Sequence, residues 1–375
     1  PGPDPHHQPG SFSGIGAGND PPAGGWIREN SAVCEITGFD IQQLTKDRLY
    51  AISKKLYAQK EALEQHLSVR TNELFDIQDK IILYDLTNTY FEGRKQGSKL
   101  AKFGRSKEKR SDAKLVVLGL VINPEGFIKY SSILEGNMAD SKTLEGMITK
   151  LRIKTSFSAQ KALIVIDAGI ATEENLKMIL DNGYDYLCVS RSNLKTYNIE
   201  AGAATVSVTD NRKQKIELCR VKSDRNTDYY LKVESHSKEL KERSMNEQFR
   251  SRFEAGLQQI AASLTKKGGI KQEDKVHERI GRLKQKYPSI QRYFDIETQV
   301  CDQPEAKRKK KGTDKEKNRI VTSVKWAVKE GVDINARSGV YFLRTSMEAK
   351  SEENVWQFYN IIREVEDTFR VLKTD

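Results

Sequence analysis

Residues 81–93 read IILYDLTNTYFEG. Four apolar and aromatic residues in a row, Ile81 to Tyr84, make a short buried strand. The run ends in Asp85, a carboxylate that is costly to bury without a partner. The same layout recurs in LIVIDAG, residues 163–169, where an apolar strand ends in Asp167 before the loop-forming Ala168-Gly169. If the two strands are parallel neighbours, both carboxylates emerge at one carboxyl edge, where open α/β sheets keep their sites. Two carboxylates at that spacing repel, so the pair is stable only when protonated or bridged by a cation. Hard oxygen donors without nearby Cys or His favour Mg²⁺ or Mn²⁺ over zinc. Either Asp alone is as readily a turn or cap residue. Two acids in matched settings weigh against that reading.

Working outward, the pattern is α/β from 79 to 192. Strands are expected at 79–87, 114–122 and 127–134, with the turn NPEG at 123–126 joining the last two. A helix follows over 139–152 with Asp140 or Ser141 as its cap, then a strand at 161–167, a helix from Thr172 and a strand at 185–190. The order β-β-β-α-β-α-β predicts a mixed sheet flanked by helices, the first part of a core. Residues 193–338 break that rhythm and read as an insertion, with strands at 215–221 and 228–235 and long charged helices over 237–293. The tract KRKKKGTDKEKNR (307–319) lies near its end. A strand at 339–345 returns to the core, and 351–375 reads as one helix begun by a Ser-x-x-Asn cap.

The N-terminal region is different. Residues 1–27 are rich in Pro and Gly and read as disordered or foreign to the fold, with His6 and His7 solvated rather than metal-bound. Residues 28–78 read as a helical remnant, because Leu49, Ile52, Leu56, Leu63 and Leu67 recur at helical spacing.

Lys and Arg number 63 against 52 Asp and Glu in the 375 residues, a net charge of +11. That excess favours a polyanionic partner. The four cysteines are far apart with no C-x-x-C pair. This argues against a zinc ribbon and suits reduced thiols in the cytoplasm. No apolar run is long enough to span a membrane.

The C-terminal helix carries Tyr359, Arg363, Glu366, Arg370 and Lys373 at i, i+4, i+7, i+11 and i+14. At about 100° per residue they share a stripe roughly 80° wide. Val355, Phe358, Ile362, Val365, Phe369 and Leu372 form the neighbouring face that packs. A solvated stripe held by i,i+4 pairs has the same spacing, but one acid among cations and a tyrosine also fits a metal and phosphate site. A second basic concentration, GRKQGSKLAKFGRSKEKRSDAK (93–114), holds nine Lys/Arg and two acids. It includes Arg105, Lys107, Lys109 and Arg110, and a loop of this kind holds a phosphate backbone by charge.

Six blocks together resemble one family: YDLTNTYFEG, GRSKEKRSDAKLVVLGLVINPEG, LEGNMADSKTLEGMI, IVIDAGIATEENL, GVYFLRTS and YNIIREVEDTFRVLK. They are similar to the DDE transposases of bacterial insertion sequences, nearest the insertion-sequence-four group and its insertion-sequence-sixteen-thirty-four branch. The resemblance covers about residues 40–375. It implies a ribonuclease-H-like fold with a large insertion before the last catalytic helix, and a catalytic, metal-binding triad of Asp85, Asp167 and Glu366. The family signature around the Glu is Y-x2-R-x3-E-x6-K. Tyr359 and Lys373 match it, whereas Ile362 stands at the Arg position with Arg363 one residue later. The family can also hold a flipped base on an insertion Trp; Trp326 lies in the insert, with simple packing as the alternative. Relative to the family, a DNA-binding region is not recognisable at the start, and the chain stops soon after the signature Lys, so the sequence reads as truncated.

The resemblance implies two Mg²⁺ or Mn²⁺ ions, cleavage of transposon ends in DNA, strand transfer to a target, and a homodimer in the synaptic complex. The alternatives are a truncated DNA-binding relic that does not cut, and a simple nuclease of the ribonuclease H superfamily.

Overall fold

The computed structural model describes residues 22–373 apart from 78–79, 92–95, 106–110, 155–160, 192–193, 195, 201, 203, 211–212, 225–226, 303–318 and 349–350, and some side chains near the ends of helices. The chain divides into two compact units, Pro1–Gln78 with Phe127–Tyr130, and Asp79–Gly126 with Ser131–Asp375.

In the first unit, Pro22 opens α1 (Pro22–Asn30), because its fixed φ suits a first helical turn. Residues 22–27, read from composition as disordered, are therefore helical; residues 1–21 lie outside the described residues. A short α2 (Val33–Thr37) and a 3-10 turn (Ile41–Gln43) lead to α3 (Lys46–Ala58), which Thr45 caps by accepting from the Arg48 N–H. The helix α4 (Lys60–Phe75) follows directly. Lys129 is buried in this unit and donates to Asn72 Oδ1 at 2.6 Å and Ser68 Oγ at 3.3 Å. Phe75 stacks on Phe127 with ring centres 5.4 Å apart.

The sheet begins with β1 (Ile81–Tyr90), β2 (Leu115–Ile122) and β3 (Ile128–Glu135). The NPEG turn closes where Gly126, at φ +86°, donates to the Asn123 carbonyl, a backbone state that suits glycine. A 3-10 turn at Asp140–Lys142 precedes α5 (Leu144–Lys154). Asp140 and Ser141 thus lie ahead of the helix and neither caps it as expected. Then come β4 (Leu163–Ile166), α6 (Glu173–Asp181) and β5 (Asp185–Val189). Thr172 caps α6 by accepting from the Asn175 N–H.

Residues 193–338 contribute in two ways. The strands β6 (Asn198–Ile199), β7 (Val206–Thr209), β8 (Lys215–Lys222) and β9 (Tyr229–Ser235) extend the main sheet. The helices α7 (His236–Thr265), α8 (Glu273–Lys286) and α9 (Pro288–Gln291) instead pack on a separate hairpin, β10 (Phe294–Asp302) and β11 (Arg319–Val328). Phe253, Leu257, Ile260 and Leu264 form the buried stripe of α7. Trp326 is half-buried among these residues, in a packing position. Residues 303–318, with most of the basic tract, lie between the two hairpin strands and outside the described residues. The hairpin was not expected from the sequence, although its alternating burial is the signature of a strand with one face covered.

The chain returns as β12 (Val340–Thr345) and ends with α10 (Glu352–Lys373). The sheet order is β3-β2-β1-β4-β5-β12-β9-β8-β6, with β7 beside β8. β1, β4 and β5 run parallel, while β2 and β12 are antiparallel to their neighbours. Ser351 caps α10 through the Asn354 N–H at 3.2 Å, as expected. Val355, Trp356, Ile362, Val365 and Phe369 of this helix are buried against Leu83, Val165, Leu187 and Leu343 of the sheet. Each such side chain contributes at most about 1.5–3 kcal/mol of burial.

Cys188 is buried on β5, and that burial pushes its thiol up to about 12. Cys301, on β10, is exposed. An alkylating reagent at pH 8 is expected to label Cys301 in the native protein and Cys188 only after unfolding, read by peptide mass spectrometry. Native labelling of both at one rate would contradict the packing of β5.

Candidate active site

The β1–β4 register pairs Leu83 with Val165 and Tyr84 with Ile166. Asp85, within β1, and Asp167, the residue after β4, each follow the last pair of this register. Leu83 and Val165 face α10. Alternation along β1 turns Asp85, two residues on from Leu83, toward the same side, and Asp167 begins the turn after β4. Asp85 is buried, at 6% exposure, and its Oδ1 accepts from the Leu86 N–H at 2.7 Å. Asp167 is exposed, and its Oδ2 accepts from the Gly169 N–H at 3.4 Å.

The chain enters α10 from β12. β12 runs antiparallel to β5, so it ends at the edge where β4 and β5 begin. There the Ser346 hydroxyl donates to Asp185, the first residue of β5, at 2.9 Å. α10 then crosses the sheet, packing against β8, β7, β5, β4 and β1. Position 366 follows the buried Val365 and lies four residues after Ile362. The side chain of Glu366 lies outside the described residues, as do those of Arg363, Arg370 and Lys373. Tyr359 is half-buried against the sheet core.

Of the basic loop, Arg105 is described and exposed; Lys107, Lys109 and Arg110 lie outside the described residues. The described part is tied down. Lys102 and Leu115 exchange two backbone hydrogen bonds, and Asn88 Nδ2 donates to the Arg105 carbonyl at 3.2 Å. Gly104 and Gly136 permit the approach, because a Cβ on Gly104 would sit 2.1 Å from the Gly136 carbonyl oxygen.

Three residues at this edge were not marked as site residues from the sequence. Asp140 Oδ2 and Asp167 Oδ2 lie 3.4 and 3.5 Å from where a Cβ on residue 169 would sit, so both carboxylates border the space that Gly169 leaves open. Arg191, just past β5, donates through Nε and Nη2 to the carbonyls of Ala168 and Gly169. Asn175 is buried and donates to the carbonyls of Ile170 and Ser141. Asp140 looked like a helix cap, and the other two contacts reach backbone carbonyls, which leave no sequence pattern.

Behind the edge, Arg344 of β12 binds the Glu173 carboxylate through Nη1 and Nη2 at 2.5 and 2.9 Å, and Asp228 through Nε at 2.5 Å. This anchors the first turn of α6, the helix that follows Asp167. The hydrogen bond from Arg344 holds the Glu173 carboxyl below its ordinary value.

A profile of the transposase DDE domain matches residues 76–375. The chain belongs to the DDE transposase family. Two solved structures are similar to parts of this DDE transposase: a piggyBac transposase synaptic complex with hairpin DNA, at 15% identity, 42% of this chain, 33% of that chain and a TM-score of 0.25, and a Mos1 transposase paired-end complex with left transposon end, at 11% identity, 45% of this chain, 60% of that chain and a TM-score of 0.21. The matches thus span less than two thirds of either solved chain. No curated protein matches the sequence.

Among the described residues of this DDE transposase, no three His, Cys, Asp or Glu side chains form a metal-binding group, and Glu366 is not among the side chains described. Asp85 and Asp167 alone are two hard oxygen donors at one edge, a set that suits Mg²⁺ or Mn²⁺. No helix among the described residues is long and apolar enough to cross a membrane.

Proposed function

We propose that this transposase cuts DNA at the ends of a mobile element and joins the freed ends to a target through an Asp85–Asp167–Glu366 triad. The observation that supports the reading is the parallel β1–β4 register, whose last pair, Tyr84 and Ile166, immediately precedes Asp85 and Asp167. Strand order β3-β2-β1-β4-β5, with β2 antiparallel to β1, supports a ribonuclease-H-like core interrupted by an insertion. Within the family, the motif blocks favour the bacterial insertion-sequence-four group.

The three carboxylates would hold a pair of Mg²⁺ or Mn²⁺ ions, which when bound stabilise the charge on the attacking and leaving oxygens of an in-line displacement. The chain's own part is to place the phosphate. Tyr359, Arg363, Arg370 and Lys373 of α10, with Arg105, Lys107, Lys109 and Arg110 of the basic loop, bind the DNA backbone by charge and hydrogen bonds. In the first step a water oxygen bonds to phosphorus as the bond to the 3′ oxygen breaks, and the departing oxygen gains a proton. In the second, the oxygen of that 3′-hydroxyl bonds to a target phosphorus as the bond to the target strand's own 3′ oxygen breaks, and that departing oxygen takes up a proton. Two element ends require two such sites, which a homodimer supplies.

The test is cleavage of DNA carrying the element's ends, with Mg²⁺ or Mn²⁺, by wild type, Asp85→Ala, Asp167→Ala and Glu366→Ala. Loss of both nicking and joining in all three variants is expected. Equal activity in all four proteins would end the proposal; cutting without joining would favour a simple nuclease; salt-dependent binding without cutting would favour a DNA-binding relic.

A further inference from the structure

Every backbone carbonyl from Asp167 to Ile170 is engaged. That of Asp167 accepts from the N–H groups of Ile170 and Ala171 at 3.0 and 3.2 Å. Those of Ala168 and Gly169 take the two arms of the Arg191 guanidinium. That of Ile170 takes Asn175 Nδ2 at 2.7 Å. Asn175 spends its other amide hydrogen on the Ser141 carbonyl at 2.8 Å, in the turn that carries Asp140. Asn175 is itself held, at 4% exposure and with its backbone N–H on the Thr172 hydroxyl.

Such complete pairing is common in helices and sheets but not in a four-residue turn, where water ordinarily serves part of the backbone. Here two side chains replace that water. The need is electrostatic: Asp167 follows Ile166, which pairs with Tyr84 just before the buried Asp85, and like charges brought near each other repel.

We propose that Asn175 and Arg191 are positioning residues for Asp167. Arg191 grips two successive carbonyls, which a planar fork does and a single ammonium does not. Asn175 locks the same turn to that of Asp140, so the spacing of the Asp140 and Asp167 carboxylates around Gly169 follows from one amide. The inference rests on reading Asp167 as a cation ligand.

The test is Mn²⁺ binding to the whole chain without DNA, read by electron paramagnetic resonance, for wild type, Arg191→Lys, Asn175→Ala and Asp167→Ala, each with a thermal melt. Arg191→Lys keeps the charge on an exposed side chain, so its melting temperature is expected to stay near that of wild type. Its Mn²⁺ affinity is expected to fall about ten- to hundred-fold, the usual effect of removing support behind a metal ligand. In end cleavage, half-maximal cation concentration should rise by a similar factor, with the rate recovering at saturation. Unchanged Mn²⁺ affinity in both Arg191→Lys and Asn175→Ala, with Asp167→Ala abolishing binding, overturns this inference alone. No Mn²⁺ binding by wild type overturns the ligand reading of Asp167 and this inference with it.

Discussion

Asp85→Asn is expected to abolish metal-dependent cleavage and, in the same protein without metal, to raise the melting temperature. The two effects have one cause. Asp85 is 6% exposed and follows Tyr84, whose partner in the parallel β1–β4 register is Ile166, the residue before Asp167. A buried carboxylate near a second one is costly to keep ionised in the absence of a cation. Asparagine is almost the same size and can still accept from the Leu86 N–H, so the strand keeps its shape while the repulsion goes. Removing a hard anionic donor from a site that depends on a divalent ion costs several kcal/mol of transition-state stabilisation. At about 1.4 kcal/mol per factor of ten, that is a rate loss on the order of a thousandfold or more. Calorimetry of the metal-free proteins and a cleavage time course test the two halves together. A variant that cuts at the wild-type rate, or one that melts several degrees lower, would show that Asp85 is held for packing and not for charge.

The second large effect is at Arg344. Arg344→Met is expected to destabilise the second unit by about 3–5 kcal/mol, the range for breaking a buried ion pair by removing one partner. The side chains of Arg344 and Asp228 are 12% and 14% exposed. Methionine fills the space but leaves the Asp228 carboxylate without its cation. The arm to Glu173 adds little by itself, because the Glu173 side chain is 79% exposed and exposed pairs contribute about 0–1 kcal/mol. It does set a pH dependence. The Arg344 hydrogen bond lowers the Glu173 pKa in the folded state. Its contribution is therefore fully present above the unfolded carboxyl value, near 4.3, and is lost as pH falls through the lower folded value. The gap in melting temperature between wild type and Arg344→Met should be widest near neutral pH and narrow below about pH 4. A gap independent of pH would remove Glu173 from the account. Glu173 opens α6 directly after the Asp167 turn, so the variant is also expected to cut more slowly.

The elements nearest the candidate site were legible in the sequence because each is written in a local pattern. Ile81–Tyr84 and Leu163–Ile166 are apolar runs and both became strands, although β1 continues past Asp85 to Tyr90 where an end at 87 was expected. Val355, Ile362, Val365 and Phe369 recur at helical spacing, and all four became buried. The hairpin of Phe294–Asp302 and Arg319–Val328 was missed although its alternation is present, because the long helices before it and the basic tract within it dominated the reading. Asp140 was taken for a cap; a 3-10 turn instead sets it beside Asp167.

Short-range periodicity determined by itself that this chain builds a mixed α/β sheet with an acid directly after each of two apolar strand runs, since hydrophobic spacing depends only on residues a few positions apart. Only the tertiary structure decided that β1 and β4 are parallel neighbours in register, that α10 packs across them, and that Arg191 and Asn175 bond the carbonyls of the turn after Asp167. Those facts are contacts between residues tens to hundreds of positions apart, or between side chains and backbone carbonyls. Neither kind leaves a periodic trace, because any residue supplies a carbonyl and strand adjacency is chosen by how the whole core packs.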